Sequence, residues 1–175
     1  MASAYPVIFI QHLHIFQPKH QRQTVNSQAR YSHYKMSDTL YPLLYAMLSS
    51  YCLAGSLMEH FAVYPGWLAL TSPQTLITMH TAQSPGITSI YVVPKLILTA
   101  FIIIQLFISP TMTAWFGLAM LSISWISSFT IQIPLQQRIR KNGDKEAVKK
   151  LIATDWVRVL AMSGNFAAVL FSVVA

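Results

Sequence analysis

The apolar and polar positions of this chain fall into long blocks rather than short alternations. Leu40–Met58 holds no charged residue and is closed by Glu59-His60. Further apolar blocks run from about Ile87 to Ser109, from about Thr111 to Ile133 and from about Trp156 to Ala175. Much of the second block and all of the third lie within Leu96–Gln137, where no Asp, Glu, Lys, Arg or His occurs. As a helix that stretch would reach roughly 63 Å, about twice the ~30 Å hydrocarbon core of a bilayer. Ser109-Pro110-Thr111 is its strongest break. The pattern predicts an all-α fold, a membrane four-helix up-and-down bundle with spans at about 40–62, 87–109, 111–133 and 156–175. Each backbone N–H and C=O is then bonded within its own helix, as hydrocarbon demands. Short connections make neighbouring helices antiparallel.

The connections carry their own signals. Within residues 63–86, Pro65-Gly66 marks a turn. Ser72 suits an N-cap and Pro73 the first helical position. These predict a short interfacial helix between the first and second spans, carrying Leu76, Ile77 and His80 and stopping near Ser84-Pro85-Gly86. Between the third and fourth spans, Asn142-Gly143 is a turn signal and Asp144 an N-cap. Small residues recur every four positions at Ala46, Ser50 and Ala54, and again at Gly164, Ala168 and Ser172, where another helix can approach closely. Tyr41, Tyr45, Tyr64 and Trp67 stand near the two ends of the first span, as an interfacial aromatic belt would.

Composition supports this class. Charged residues make up 10% of the chain, against about 25% in soluble domains. The formal charge of +7 sits mainly in the first 35 residues and in 138–158. Basic flanks beside apolar spans are a topology signal, so the partner expected is the lipid bilayer and not nucleic acid, for which basic charge supplies only nonspecific affinity. Arg138, Arg140, Lys141, Lys145, Lys149 and Lys150 outweigh Arg30 and Lys35, which places the 1–2 and 3–4 connections in the cytosol and both termini on the opposite side. Residues 1–35 contain no acidic residue and are read as an N-terminal extension that is disordered, targeting or non-native, since Met36-Ser37-Asp38 would serve as a start. Residues 36–175 then form the four-span transmembrane domain. Cys52 is the only cysteine, which excludes an intrachain disulfide and a cysteine metal cage.

Candidate chemistry gathers at the loop-bearing end of the bundle. Glu59 and His60 end the first span there, His80 lies on the interfacial helix, and Lys95 sits roughly 12 Å into the second span. Gln132 and Gln136 end the third span, and Asp155 and Arg158 open the fourth. Ionisable groups inside spans are costly and mark function or pairing. The candidate catalytic residues are therefore His80, Glu59, His60, Arg158 and Lys95. Plainer readings stand beside them. Lys95 either snorkels or pairs with Glu59, Asp155 and Arg158 form an i,i+3 helix pair, Arg158 holds lipid phosphate, and His60 and His80 are interfacial side chains. No metal site is expected. The cofactor is unknown, and a haem between two histidines is testable by its spectrum. No phosphate-binding glycine loop, Gly-x-Ser-x-Gly elbow or His-Glu-x-x-His occurs.

The order Met58-Glu59-His60, Tyr64-Pro65-Gly66-Trp67, His80, Pro94, Gln132-Ile133-Pro134-Leu135, Arg138, Leu151 and Thr154-Asp155-Trp156-Val157-Arg158 resembles that of small uncharacterised four-helix integral membrane proteins. These are distantly similar to the anthrone oxygenase-like family. The resemblance covers about residues 37–175. That family tends to carry Asn-x-Pro where the third span ends, and this chain has Gln132 there with Pro134 kept. An Asn-Trp-x-x-Arg-like run appears as Asp155-Trp156-Val157-Arg158. The resemblance implies the four-helix architecture and raises oxygenase chemistry as a candidate activity.

Two functions follow as expectations. The first is an integral membrane protein of accessory or small-subunit type, a homo-oligomer or part of a membrane complex, packed by its small-residue faces. The second is a membrane oxidoreductase or oxygenase acting on a lipophilic aromatic or quinone-like substrate at the interface. A carrier or channel rests only on Lys95 and Pro94 within a span.

Overall fold

The computed structural model describes residues 40–174, with side chains through residue 171. The extension 1–35, the start at Met36 and the side chain of Ser172 lie outside the described residues. From Tyr41 onward the chain forms one compact unit, and every described element is helical. The helices are α1 Leu40–Ala69, α2 Pro73–Ile108, α3 Met112–Asn142 and α4 Lys145–Val174. The first three are long and apolar enough to cross a membrane.

The turns between helices are tight because each ends on a side-chain cap. Ser72 accepts a hydrogen bond from the Thr75 N–H at 3.1 Å, Thr111 from Ala114 at 3.2 Å, and Asp144 from Ala147 at 3.1 Å. Such caps satisfy N–H groups that the first helical turn leaves open. Gly143 closes α3 at φ 61°, with its N–H on the Ile139 carbonyl. Only a residue without a Cβ takes that left-handed geometry without strain.

The structure corrects the expected first connection. Residues 63–86 are not a loop carrying a separate interfacial helix: α1 continues to Ala69 and only Leu70–Ser72 lie between the helices. The segment from Pro73 is the first part of α2, which does not stop at Ser84-Pro85-Gly86. Hydroxyls supply extra bonds around Pro85. Ser84 donates to the His80 carbonyl at 2.6 Å, Thr88 to Ser84 at 3.0 Å and Ser89 to Pro85 at 3.1 Å. Pro85 offers no N–H to the Thr81 carbonyl, and these hydroxyls instead back-bond to carbonyls four residues earlier on either side of it.

Three π-turns interrupt α1, α2 and α3, at Glu59–Val63, Thr88–Val92 and Ser128–Gln132. Each lies just before a proline: Pro65, Pro94 and Pro134. A proline ring crowds the carbonyl four residues earlier and offers it no N–H. Widening the preceding turn relieves that contact, so the Tyr64, Val93 and Ile133 N–H groups bond five residues back, to Glu59, Thr88 and Ser128. The wider turn also resets the helical phase. On α3 the buried positions run Ala114, Gly117, Leu121, Ser124, Ser127, then Gln132, Leu135 and Ile139. The step from Ser127 to Gln132 spans the π-turn, and it brings Gln132 to the face that a regular helix would give to residue 131.

Two apolar cores are stacked along the bundle. One holds Tyr45, Cys52, Leu98, Ile102, Leu121, Met162 and Val169. The other, at the end bearing the 1–2 and 3–4 connections, holds Tyr64, Trp67, Leu76, Leu135, Ile139 and Leu151 among others. Around the first core the outer surface is an apolar collar, from Leu40 to Phe61 on α1, Ile90 to Ile108 on α2, Met112 to Ile133 on α3 and Trp156 to Phe171 on α4. On α1 to α3 its height is roughly 27–32 Å at 1.5 Å per residue. Beyond it the helices continue as a head with a mainly polar surface.

Candidate functional site

Between the two cores lies a layer of buried charge, assembled at the π-turns. Glu59 and His60 come from the π-turn of α1, Gln132 from that of α3, and Asp155 and Arg158 from α4. All five are buried. Asp155 is the hub. Its Oδ1 accepts from Gln132 Nε2 at 2.8 Å and from Arg158 Nη2 at 2.9 Å, and its Oδ2 meets His60 Nδ1 at 3.2 Å. The other guanidinium nitrogen, Nη1, pairs with Glu59 Oε2. The Tyr64 hydroxyl lies 3.5 Å from Nη2. One carboxylate therefore ties α1, α3 and α4 together, and one guanidinium neutralises carboxylates from two helices.

This geometry sorts the candidate residues. Glu59 and Arg158 pair directly, and His60 joins them through Asp155. Arg158 does not hold lipid phosphate: it is 7% exposed and both terminal nitrogens face protein oxygen. The i,i+3 pair with Asp155 forms, but inside the bundle rather than on its surface. His80 stands apart, in the head. Its ring packs on Trp67 with centroids 4.9 Å apart, and its Nδ1 lies 3.4 Å from Ser84 Oγ. Trp67 is held in turn by Gln83 at 2.7 Å. The break expected at Ser84 made His80 look interfacial; the continuous helix instead turns it into the head core.

Lys95 neither extends to the protein surface nor pairs with Glu59. It is 8% exposed, its Nζ donates to Ser128 Oγ at 3.3 Å, and it lies 4.3 Å from the centre of the Trp125 ring. Helix direction explains the reach. Side chains lean toward the N-terminus of their helix, and the N-terminus of α2 is at the head. The Lys95 stem therefore carries its amine back toward the charged layer. Trp125 is fixed by its Nε1 bond to Thr99 at 3.0 Å.

His60 occupies the rim of the layer. Its ring packs on Trp156 at 4.4 Å and edge-on to Phe61 at 4.7 Å, and both of those aromatics belong to the collar. With Asp155 ionised, Nδ1 donates to it and Nε2 remains the basic ring atom. Among the described residues no three His, Cys, Asp or Glu side chains are grouped to hold a metal ion.

A second buried polar cluster escaped the sequence reading. Asn165, fully buried on α4, accepts from Ser49 Oγ at 2.5 Å and donates to the Gly117 carbonyl at 2.9 Å and Tyr45 OH at 3.3 Å. It clamps α1, α3 and α4 within the collar. The available signal was an amide in the middle of an apolar block, which in hydrocarbon needs a partner. The small face of α4 is also spent inside the bundle: a Cβ on Gly164 would meet Met120 of α3 at 3.0 Å, and Ala168 is buried. On α1, by contrast, Ser50 and Ala54 are exposed.

Comparison of the chain with protein-family models, with curated proteins and with solved structures finds no match.

Proposed function

We propose that this chain is a multi-pass integral membrane protein of accessory type, whose buried ions hold the bundle together rather than act on a substrate. The collar supports the membrane part, since its roughly 27–32 Å height at 1.5 Å per residue suits a ~30 Å hydrocarbon core. All four helices cross, with the basic 3–4 connection in the cytosol and the 2–3 turn opposite. The observation that carries the accessory reading is the closure of the ion network. Arg158 already has Glu59 and Asp155 on its two terminal nitrogens, so an anionic substrate would have to displace a buried carboxylate. The outward Ser50 and Ala54 on α1 offer a surface where a partner helix can approach closely.

Extraction tests the membrane part: the protein should stay with membranes in alkaline carbonate and leave only in detergent. Purification in mild detergent tests the role. A stoichiometric partner or a defined homo-oligomer is expected, and a monodisperse monomer with turnover would overturn it.

A second reading, an oxidoreductase or oxygenase acting on a lipophilic aromatic or quinone-like substrate, is favoured by one observation: the His60–Asp155 pair at the collar rim. An imidazole oriented by a carboxylate can take a proton at Nε2, with Trp156 and Phe61 as the apolar approach. Substrate-dependent oxygen uptake that disappears in His60→Ala and persists in His80→Ala would establish it. A purified protein without a Soret band would leave only a haem-free version.

A further inference from the structure

The head carries its surface charge on one half only. Residues 61–69 of α1 and 73–87 of α2 contain no Asp, Glu, Lys or Arg. The last turns of α3 hold Arg138, Arg140 and Lys141, and the first turns of α4 hold Lys145, Lys149 and Lys150. All of these are exposed except Lys145, which is half-buried. Carboxylates are scarce beside them. Glu59 and Asp155 are buried in the layer below, so Asp144 and Glu146 are the surface acids among the described residues. Each is already taken: Arg138 holds Asp144 at 2.6 Å, and Lys149 holds Glu146 at 2.7 Å. Arg140, Lys141, Lys145 and Lys150 have no carboxylate at ion-pair distance among the described residues.

Position along the helices sets most of these cations beside the bilayer. The apolar collar ends at Ile133 on α3 and at Trp156 on α4, and the Gln132–Asp155 contact puts those two ends at one level. Counted from there at 1.5 Å per residue, Arg140, Lys141 and Lys150 stand roughly 9–12 Å above the collar's edge, and Lys145 roughly 16 Å. The polar layer of a bilayer is about 5–7 Å thick on each side. Long basic stems cover the few ångströms that remain. On α3 helix direction helps, because side chains lean toward the N-terminus, which there is the bilayer side. At physiological salt, charges in water attract one another over about 8 Å, so Lys145 stands beyond that reach.

We propose that Arg140, Lys141 and Lys150 form a docking surface for the anionic phospholipid headgroups of the adjoining leaflet. The surface rests on the membrane reading above and is independent of the accessory role. Lipid phosphates supply the acceptors that these ammonium and guanidinium groups lack, and charge-assisted bonds to them are the strong kind. Each basic residue close to an anionic membrane surface strengthens the attraction about fivefold. A leaflet surrounds the head on every side, so cations spread over two helices act together without a shared pocket. Trp156, 45% exposed at the collar's edge, suits the same level, where tryptophan is enriched. An acidic protein arriving from solution would meet Lys145 and the 3–4 turn first, whereas three of the four cations without a carboxylate lie next to the collar.

The test reconstitutes the full chain in phosphatidylcholine membranes. Electron spin resonance then compares the association of spin-labelled phosphatidylglycerol with that of spin-labelled phosphatidylcholine. At about 0.1 M salt, and averaged over the whole lipid ring, the anionic probe should be favoured about threefold or more. The preference should fall to near parity at about 1 M salt, where the screening length is about 3 Å. Arg140→Gln/Lys141→Gln/Lys150→Gln should bring it to near parity as well. The charge-keeping Arg140→Lys/Lys141→Arg/Lys150→Arg and the distal Lys145→Gln should keep most of it. If the neutral triple variant does not reconstitute, Lys141→Gln/Lys150→Gln carries the test, with an expected loss of about half the preference. Parity in the parent, a preference that survives high salt, or one that the neutral variants retain overturns the proposal. Binding of polyglutamate to the reconstituted parent without any lipid preference gives the face to an acidic macromolecule and overturns it equally. Failure of the membrane reading is seen separately, as recovery of the chain without detergent.

Discussion

Asp155→Ala is the sharpest perturbation of the buried layer. It removes one carboxylate and leaves Arg158 Nη2, Gln132 Nε2 and His60 Nδ1 without their acceptor. Breaking one partner of a buried ion pair costs about 3–5 kcal/mol. Arg158 keeps Glu59, so the lower end, about 3 kcal/mol, applies. The two neutral donors lose less, because polar groups in a membrane-embedded unfolded state find other partners; such bonds average about 0.6 kcal/mol each. The sum is about 4 kcal/mol, a shift of about a thousandfold in the folded-to-unfolded ratio. Asp155→Asn keeps one acceptor oxygen and the shape but loses the charge, and about 2 kcal/mol is expected. Equilibrium unfolding by SDS in mixed micelles, followed by circular dichroism, measures both. An Asp155→Ala protein within about 1 kcal/mol of the parent would refute the view that this carboxylate anchors three helices.

Other consequences concern the ends and the π-turns. Gly143→Ala should destabilise by about 2–4 kcal/mol, from left-handed strain and crowding, since its Cβ would stand 2.7 Å from Pro73 Cα; thermal melting in detergent reads this. The Ala147 N–H, then Arg138, hold the Asp144 carboxyl below its ordinary value. Its contribution is complete above about pH 4 and is lost as pH falls through the lowered value, so Asp144→Asn should be less stable at neutral pH and show a flatter acid limb in a melting series. Pro134→Ala restores an N–H donor for the Thr130 carbonyl and lets the π-turn close, moving Gln132 off Asp155. Gln132→Ala should then cost about 0.6 kcal/mol in the parent and nothing in the Pro134→Ala background; equal costs would show that the proline does not set this contact.

Much of the architecture was legible in the chain because apolar runs and caps are local. Blocks of apolar residues placed four helices, and Ser72, Pro73 and Asp144 marked helix starts that the structure keeps. The same local reading failed at Ser84-Pro85-Gly86, where the helix runs on through a nominal stop. It also gave no sign of the π-turns, although Pro65, Pro94 and Pro134 were in view. A proline reports its own missing donor, whereas the widened turn is a response of the preceding backbone.

Sequence by itself determined that polar groups with ionisable heads would be set into apolar rods: Glu59, His60, Lys95, Asp155 and Arg158 stand beside or inside runs that cannot solvate them. Which of them face one another was decided only in three dimensions. Partner choice depends on helix phase and register, and a single inserted residue at a π-turn rotates a side chain from one face to the next. That is why Gln132 reaches Asp155, Arg158 turns inward between two carboxylates, and His80 leaves the group for a tryptophan in the head. Asn165 makes the same point: its residue type announced a need for partners, and only the packing of α1 and α3 against α4 supplied Ser49, Tyr45 and the Gly117 carbonyl.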